Sequence, residues 1–337
     1  MKAIMVGLGG RGRYWVKSAR QHPECEFVAY VEPMEVNQQK AIEQLEISGQ
    51  QIHPTLEDAI SATQADFVLD VTPPAAHRAV AETAFAAGLH VFGEKPLSDN
   101  FDEAKKAVEA GEKAHRKHMI TQNYRFGAVP RTTRQLLAEG KIGKPGQCDL
   151  RYYKPWADSP GSHYVTQPYM LINDMMVHHF DMMRYVLDSD PVRVHAVTWN
   201  HPWGWHAGDA AHSIVFQFAD GLVATHVACG CAMGSQTNWN GNWRIEGPLG
   251  SIDWNDSGVR YARLHRTEQK TEEEVPLRET PPGDQAMLTE FFAAIREDRQ
   301  PECSGRDNLK SLAMVFAAIK SAEENRWVDL TEYPAQD

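Results

Sequence analysis

Cysteine is scarce in this chain. Only Cys25, Cys148, Cys229, Cys231 and Cys303 occur among its 337 residues. An odd number at scattered positions excludes a disulfide framework, and no pair has zinc-finger spacing. Cys229 and Cys231 lie two apart in a strand-like run and so point to one face. Buried, reduced thiols are the expectation for all five. Basic charge is in deficit as well. The net charge of −11 opposes long-range attraction to nucleic acid or anionic lipid, although local charge can still hold a small anion. No run approaches the roughly 18 apolar residues of a membrane helix. A strand-like segment already starts near Lys2, which leaves no room for a signal peptide. A cytoplasmic protein without nucleic-acid or membrane partners is therefore expected. Internal repeats are also missing, which removes solenoid architectures. Apolar residues make up 42% and charged residues 23%, so a chain long enough for two domains can bury ordinary cores without staples.

Strand-like runs at 3–6, 27–31, 67–71, 90–92 and 119–121 alternate with helix-like segments near 12–20, 34–46, 75–87 and 101–116. That alternation predicts a parallel sheet covered on both faces, with right-handed crossovers: a doubly wound Rossmann domain over residues 1–122. The pattern changes after Arg125. A helix near 129–139 ends at Gly140, a strand-like run covers 147–154, and a loop rich in Pro, Ser and Gly covers 155–168. One long helix over 169–187 follows. Strands are then expected at 192–199, 211–219, 222–231, 242–247, 250–254 and 258–266, with Asp220-Gly221 as a hairpin signal. The acidic stretch Thr271 to Glu274 reads as a solvated turn or an edge strand. Helices near 284–297 and 307–324 close the chain. Residues 123–337 thus form an α+β domain with a large open, mainly antiparallel sheet.

Chemistry-bearing residues fall at the ends of the early strands. Gly7, Gly9, Gly10 and Gly12 surround Arg11 between a strand and a helix. Such glycines permit a tight turn and close approach of backbone to a pyrophosphate, and the helix N-terminus supplies donors. Arg11 and Arg13 either contact phosphate or are solvated. Glu32, 20 residues past Gly12, is placed to accept bonds from ribose hydroxyls. It would repel a 2′-phosphate, so NAD is expected rather than NADP. Thr72, Pro73 and His77 follow the third strand, either as part of the ligand crevice or as a plain rigid turn. Glu94 and Lys95 precede Pro96 at the end of the fourth. Proline rigidifies that turn and can be cis. Lys95 is either a donor to a reacting hydroxyl or a surface lysine paired with Glu94.

Asp174 and His178 lie four apart on the expected helix, with Asp181 continuing the face. His179 points elsewhere, as a packed histidine would. A carboxylate beside an imidazole suits a general base. The same residues could form half of a metal site, but a third ligand has no obvious position, and no metal is assigned. Trp156, Trp203, Trp205, Trp239 and Trp243, mixed with His163, His201, His206, Asn238, Asn240 and Asn242, suit the C–H faces and hydroxyls of a sugar or polyol. They equally suit a subunit interface on the open sheet.

With these residues in hand, the chain resembles the Gfo/Idh/MocA family, named for glucose–fructose oxidoreductase and inositol dehydrogenase. The resemblance rests on Glu94-Lys95-Pro96 after Gly88-Leu89-His90-Val91, on Thr72-Pro73 with His77, on Asp174, His178 and Asp181, and on Ile245-Glu246-Gly247 before Gly250-Ser251-Ile252. It implies the two-domain fold, NAD as cofactor, and a catalytic triad in which Lys95 holds the hydroxyl, His178 is the base and Asp174 orients it. It also implies that Tyr124 and Arg125 line the substrate pocket, and that homodimers or homotetramers form through the open sheet. Many members place a glycine-rich run before the catalytic aspartate. Here Tyr169-Met170-Leu171-Ile172-Asn173 stands instead, so the substrate of any one relative does not transfer.

A dehydrogenase acting on a sugar, polyol or sugar derivative is the leading expectation. A glycosidase that oxidises its substrate transiently and a cofactor-sensing regulator are the alternatives.

Overall fold

The computed structural model describes residues 1–156, 162–255, 258–264 and 270–335. Parts of the expected 155–168 loop and 258–266 strand lie outside these residues. The chain forms two compact units: residues 1–123 with 281–309, and residues 124–280 with 310–337. The return of 281–309 to the first unit has no counterpart in the division at residue 122.

In the first unit, β1 (Lys2–Val6), α1 (Gly10–Ala19), β2 (Glu26–Val31), α2 (Glu35–Leu45), β3 (Ile52–His53), α3 (Leu56–Ala62), β4 (Phe67–Asp70), α4 (His77–Ala86), β5 (His90–Gly93), α5 (Phe101–Lys113) and β6 (His118–Ile120) follow in order. All sheet pairs are parallel, in the order β3-β2-β1-β4-β5-β6, which is the doubly wound order of a Rossmann domain. Past their first residues the central strands β1, β4 and β5 are buried on both faces, as covered parallel strands are. β4 reads Phe-Val-Leu-Asp and is buried at every position. Neither β3 nor α3 was expected, because a two-residue strand carries no periodic signal.

Register sets the functional edge. Val6 pairs with Val31 and Asp70, Asp70 with Gly93, and Gly93 with Ile120. The next row along the carboxyl ends is therefore Gly7, Glu32, Val71, Glu94 and Thr121.

The second unit begins with α6 (Ala128–Ala138) and β7 (Gln147–Tyr153), and the chain then enters a π-helical turn over Leu171–Met176 that runs into α7 (Val177–Leu187). The strands β8 (Pro191–Trp199), β9 (Ala211–Phe218), β10 (Val223–Cys229), β11 (Asn242–Gly247), β12 (Gly250–Asn255), β13 (Gly258–Leu264) and β14 (Lys270–Val275) come next. Helix α8 (Gly283–Arg296) belongs to the first unit. Helix α9 (Gly305–Glu324) starts in the first unit and continues into the second, and β15 (Val328–Asp329) ends the regular structure. The nine-stranded sheet has the order β14-β13-β12-β11-β7-β10-β9-β8-β15. Its pairs are antiparallel except β7 with β10. The acidic stretch is the edge strand β14.

Alternation does the folding work here. β9 buries His212, Ile214, Phe216 and Phe218 and leaves the residues between them half-exposed. Phe180 of α7 packs edge-on against Phe216 at 4.9 Å. Arg151, Val197 and Arg244, on the other sheet face, stay exposed. Among the described residues, no helix is long and apolar enough to cross a membrane.

Candidate active site

The glycine loop leaves β1 through Gly7, whose φ of +92° and close approach to β4 exclude a side chain: a Cβ there would stand 2.9 Å from the Val71 carbonyl oxygen. At Gly12 a Cβ would stand 1.9 Å from the Gly7 carbonyl oxygen, so only glycine lets α1 seat against the strand. Gly9 and Gly10 differ, because a Cβ on either meets nothing within 4 Å. The N-cap of α1 is Gly9, with no side-chain cap bond. Open space thus lies in front of uncapped helical N–H groups, which suits a pyrophosphate.

Glu32 is buried at the end of β2. Its Oε2 accepts from the Leu8 N–H at 2.8 Å and its Oε1 from the Met34 N–H at 3.0 Å. A carboxylate oxygen has further lone pairs, so ribose hydroxyls can share it.

Glu94 and Arg11, two residues assigned to the cofactor, are engaged with the protein instead. Glu94 accepts from Arg11 Nε (2.5 Å), Trp15 Nε1 (2.6 Å), Thr121 Oγ1 (2.9 Å) and the Lys95 N–H (3.0 Å). Burial acts to raise its carboxyl, but Arg11 and the Trp15 donor outweigh that and hold it below the usual carboxylate range. Arg11 also lies over the rings of Tyr14 and Trp15. The pair therefore ties the glycine loop to the β5 end rather than turning both charges to a nucleotide. Lys95 emerges beside this network. Its N–H lies 3.2 Å from Thr121 Oγ1, and the bond to Pro96 is cis.

Thr72 folds back on Asp70, donating to Oδ1 through N–H (2.9 Å) and hydroxyl (2.7 Å). Burial pushes the Asp70 carboxyl up. Pro73 caps the short helical turn that leads to His77. The His77 ring bridges two loops: Nε2 lies 2.8 Å from the Thr72 carbonyl and Nδ1 3.0 Å from that of Pro96. His77 thus positions the Thr72 and Lys95 loops rather than facing a ligand.

In the second unit, the single helix expected over 169–187 is instead a π-turn followed by α7, with Tyr169 at a φ of +48°. Asp174 lies in the wider π-turn and His178 in the first turn of α7. Such turns recur at functional sites, because the inserted residue re-aims its neighbours. His178 is buried, and the Tyr124 ring stacks on it at 4.3 Å and 9°.

Arg125, expected at the substrate, forms a buried fork with Asp181: Nε to Oδ2 at 2.7 Å, with a second bond to Oδ1. Ser311 donates to the same carboxylate at 2.9 Å. Arg125 and Asp181 are 4% and 1% exposed, and so tight a pair is a structural brace. His179 is packed, as read from the sequence. Its Nε2 faces the Trp239 carbonyl (2.8 Å) and its Nδ1 faces His226 Nε2 (2.9 Å), while His226 Nδ1 faces His212 Nε2 (2.9 Å). Burial pushes His179 down to about 4 and His212 to about 3.

The tryptophans divide. Trp156 meets Trp239 edge-on at 5.3 Å and Tyr164 at 6.0 Å. Its carbonyl accepts from Trp205 Nε1 and His206 Nε2, both at 3.0 Å. Trp203 stacks on His201 at 4.4 Å. Trp243 lies in the expected strand, β11, and is buried on Trp254 at 4.4 Å, because β11 turns that position to the core. Asn242 is exposed on the same strand, Asn238 and Asn240 are half-buried, and the His163 side chain lies outside the described set. Sequence reasoning missed Tyr152. Its hydroxyl is buried with no hydrogen-bond partner among the described residues, within electrostatic reach of Tyr124 and Asp174. Its inward position in β7 was the available signal. Trp156 Nε1 is likewise buried with no hydrogen-bond partner among the described residues.

The chain can be compared with known proteins on these terms. It is 25% identical to the D-apiose dehydrogenase of Paraburkholderia graminis, covering 99% of this chain and 91% of that one. It is 26% identical to the myo-inositol 2-dehydrogenase of Thermotoga maritima, covering 98% and 99%. An oxidoreductase from Agrobacterium radiobacter, solved with NAD+, L-tartaric acid and magnesium, superposes with a TM-score of 0.89 at 20% identity, covering 99% of each chain. Residues 1–122 match the oxidoreductase family model described as an NAD-binding Rossmann fold, in agreement with the glycine cradle and the carboxyl-edge row. Residues 131–253 match the Gfo/Idh/MocA C-terminal domain, and the chain belongs to the Gfo/Idh/MocA family of oxidoreductases.

Proposed function

We propose that this protein transfers a hydride between NAD and a hydroxyl-bearing carbon of a sugar, polyol or sugar derivative. The observation that carries the proposal is the carboxyl edge of the first sheet. There the glycine loop, Glu32 and Lys95 follow the ends of β1, β2 and β5 along one edge of the sheet, in a family whose relatives include apiose and inositol dehydrogenases. The buried Glu32 carboxylate favours ribose hydroxyls over a 2′-phosphate, which supports NAD over NADP. Bound on this edge, the nicotinamide supplies a hydride acceptor or donor. Lys95 donates a hydrogen bond to the reacting oxygen. His178, its plane held under the Tyr124 ring, takes the hydroxyl proton, and Asp174 orients the imidazole and binds substrate. The Tyr152 hydroxyl and Trp156 indole N–H, without hydrogen-bond partners among the described residues, are groups that a polyhydroxylated ligand satisfies. Homo-oligomerisation through the second sheet's open face belongs to the same proposal, and mass photometry tests it.

A screen of pyranoses, inositols and glycosides with NAD, following both reduced cofactor and released aglycone, tests the chemistry. Net NADH formation on a free sugar or polyol is expected. Aglycone release without net NADH marks a transient-oxidation glycosidase, and dinucleotide binding without turnover marks a regulator. On the substrate found, Lys95→Ala and His178→Ala each lower turnover by about 10² or more while NAD affinity stays near normal. Wild-type turnover in either variant overturns the role given to that residue.

A further inference from the structure

Three soft or borderline donors meet at one end of the second sheet. Trp199, Ala211 and Cys229 pair in one row across β8, β9 and β10. His201 lies two residues past that row, and Cys231 two residues past Cys229, where it bridges to Pro155. The ligating atoms of His201, Cys229 and Cys231 all lie within 4.8 Å of one another, and the two sulfurs are 3.8 Å apart. Cys231 is fully buried, Cys229 nearly so, and His201 half-buried.

We propose that His201, Cys229 and Cys231 form a Zn2+ site. Two thiolates and an imidazole are a zinc donor set, and three protein ligands leave one tetrahedral position for water. The distances fit. With Zn–S near about 2.3 Å, two sulfurs on a tetrahedron stand roughly 3.8 Å apart, and a sulfur and an imidazole nitrogen about 3.6 Å apart. The sulfurs already have that spacing, and with all three ligand atoms within 4.8 Å of one another, His201 needs to move in by no more than roughly 1.2 Å. Its half-exposed ring can do so by giving up the long 3.3 Å contact from Trp199 Nε1.

A disulfide is the rival use of the two thiols. Residues i and i+2 of extended chain stand about 6.6–7 Å apart at Cα, at the outer limit for that bond. A cation needs no such shortening. The cysteine spacing alone hides the site, because the third ligand comes from a loop 28 residues upstream of Cys229.

The site would also brace the candidate substrate wall. The Trp156 N–H donates to the Gly230 carbonyl at 2.6 Å, between the two cysteines, and Trp203 Nε1 donates to the Cys231 carbonyl at 3.2 Å. Metal capture itself does not depend on the proposed dehydrogenase activity.

The test uses the purified, reduced full-length chain, titrated with Zn2+ against a chromophoric chelator and separately with Co2+. One equivalent of Zn2+ per chain is expected, and the Co2+ form should show thiolate-to-cobalt charge transfer with tetrahedral d–d bands. Cys229→Ser, Cys231→Ser and His201→Ala each weaken binding by about tenfold or more, while Cys25→Ser binds as wild type. Should those variants not fold, alkylation mapping on the wild-type chain gives the same answer: Zn2+ protects Cys229 and Cys231 and leaves Cys25 unprotected. Substoichiometric binding, a cobalt spectrum without sulfur charge transfer, or binding indifferent to Cys229→Ser and Cys231→Ser overturns the proposal. So does conversion of the pair to a disulfide in preference to metal capture.

Discussion

Gly9 and Gly12 are three residues apart, the N-cap and the first turn of α1, yet they answer to different constraints. At Gly12 an added methyl collides with backbone, whereas at Gly9 it meets open space on a φ of −58° that any residue adopts. Gly12→Ala should therefore lower the melting temperature, with a cost of about 1–3 kcal/mol or more from overpacking. Gly9→Ala should leave it unchanged and weaken dinucleotide binding instead. Calorimetry and NAD titration on both variants separate the two effects, and a destabilised Gly9→Ala would show that its surroundings are not open. Glu32 serves both loop and ligand in the same way. Glu32→Ala should weaken NAD by about tenfold or more, the loss expected for bonds to a charged acceptor, and should relax discrimination against NADP. Unchanged affinity for both cofactors would remove Glu32 from the ribose site. The positions of the glycines, Glu32 and Lys95 at strand ends were legible because strand-end position and residue type are local properties. The partners of Arg11 and Arg125 were not. Glu94 and Asp181 lie 83 and 56 residues away, and only the folded chain shows that they take up the guanidinium groups.

Elements with a regular period were read nearly to the residue, as in α6, β8 and β11. The π-turn before α7 escaped because its composition is that of an ordinary helix, and the extra residue per turn shows only in the backbone. The histidine chain under α7 has its own consequence. The Trp239 carbonyl can only accept, so His179 carries its proton on Nε2, and His226 and His212 must do likewise for each link to hold. Burial keeps all three neutral, whereas in the unfolded chain they protonate near the ordinary value of 6.5. The unfolded state therefore binds more protons between pH 6.5 and about 4, and stability falls as the pH drops through that window. His179 alone contributes on the order of 3 kcal/mol. Melting temperatures across this range should decline, and imidazole NMR should show these three rings neutral down to about pH 5. A ring titrating near 6.5 would contradict the arrangement.

At the scale of the whole molecule, neither compact unit is a single stretch of chain. Phe291 and Phe292 of α8 cover Phe67 at 5.5 Å each, and Phe291 also covers Phe92 at 5.3 Å. Tyr14 and Ser18 of α1 both donate to Asp284. A fragment ending at residue 122 leaves that aromatic face bare and is expected to aggregate. The same fragment joined through a short linker to residues 281–309 should stay monodisperse on gel filtration and bind NAD. Equal behaviour of the two fragments would show that α8 is dispensable. Synthesis of the protein carries the same signature. The nucleotide-holding half is begun first, yet it receives its last helix only after every strand from β7 to β14 has been translated. While the ribosome works through that interval, the growing polypeptide displays an uncovered phenylalanine surface, and any helper that shields nascent chains has its natural target there.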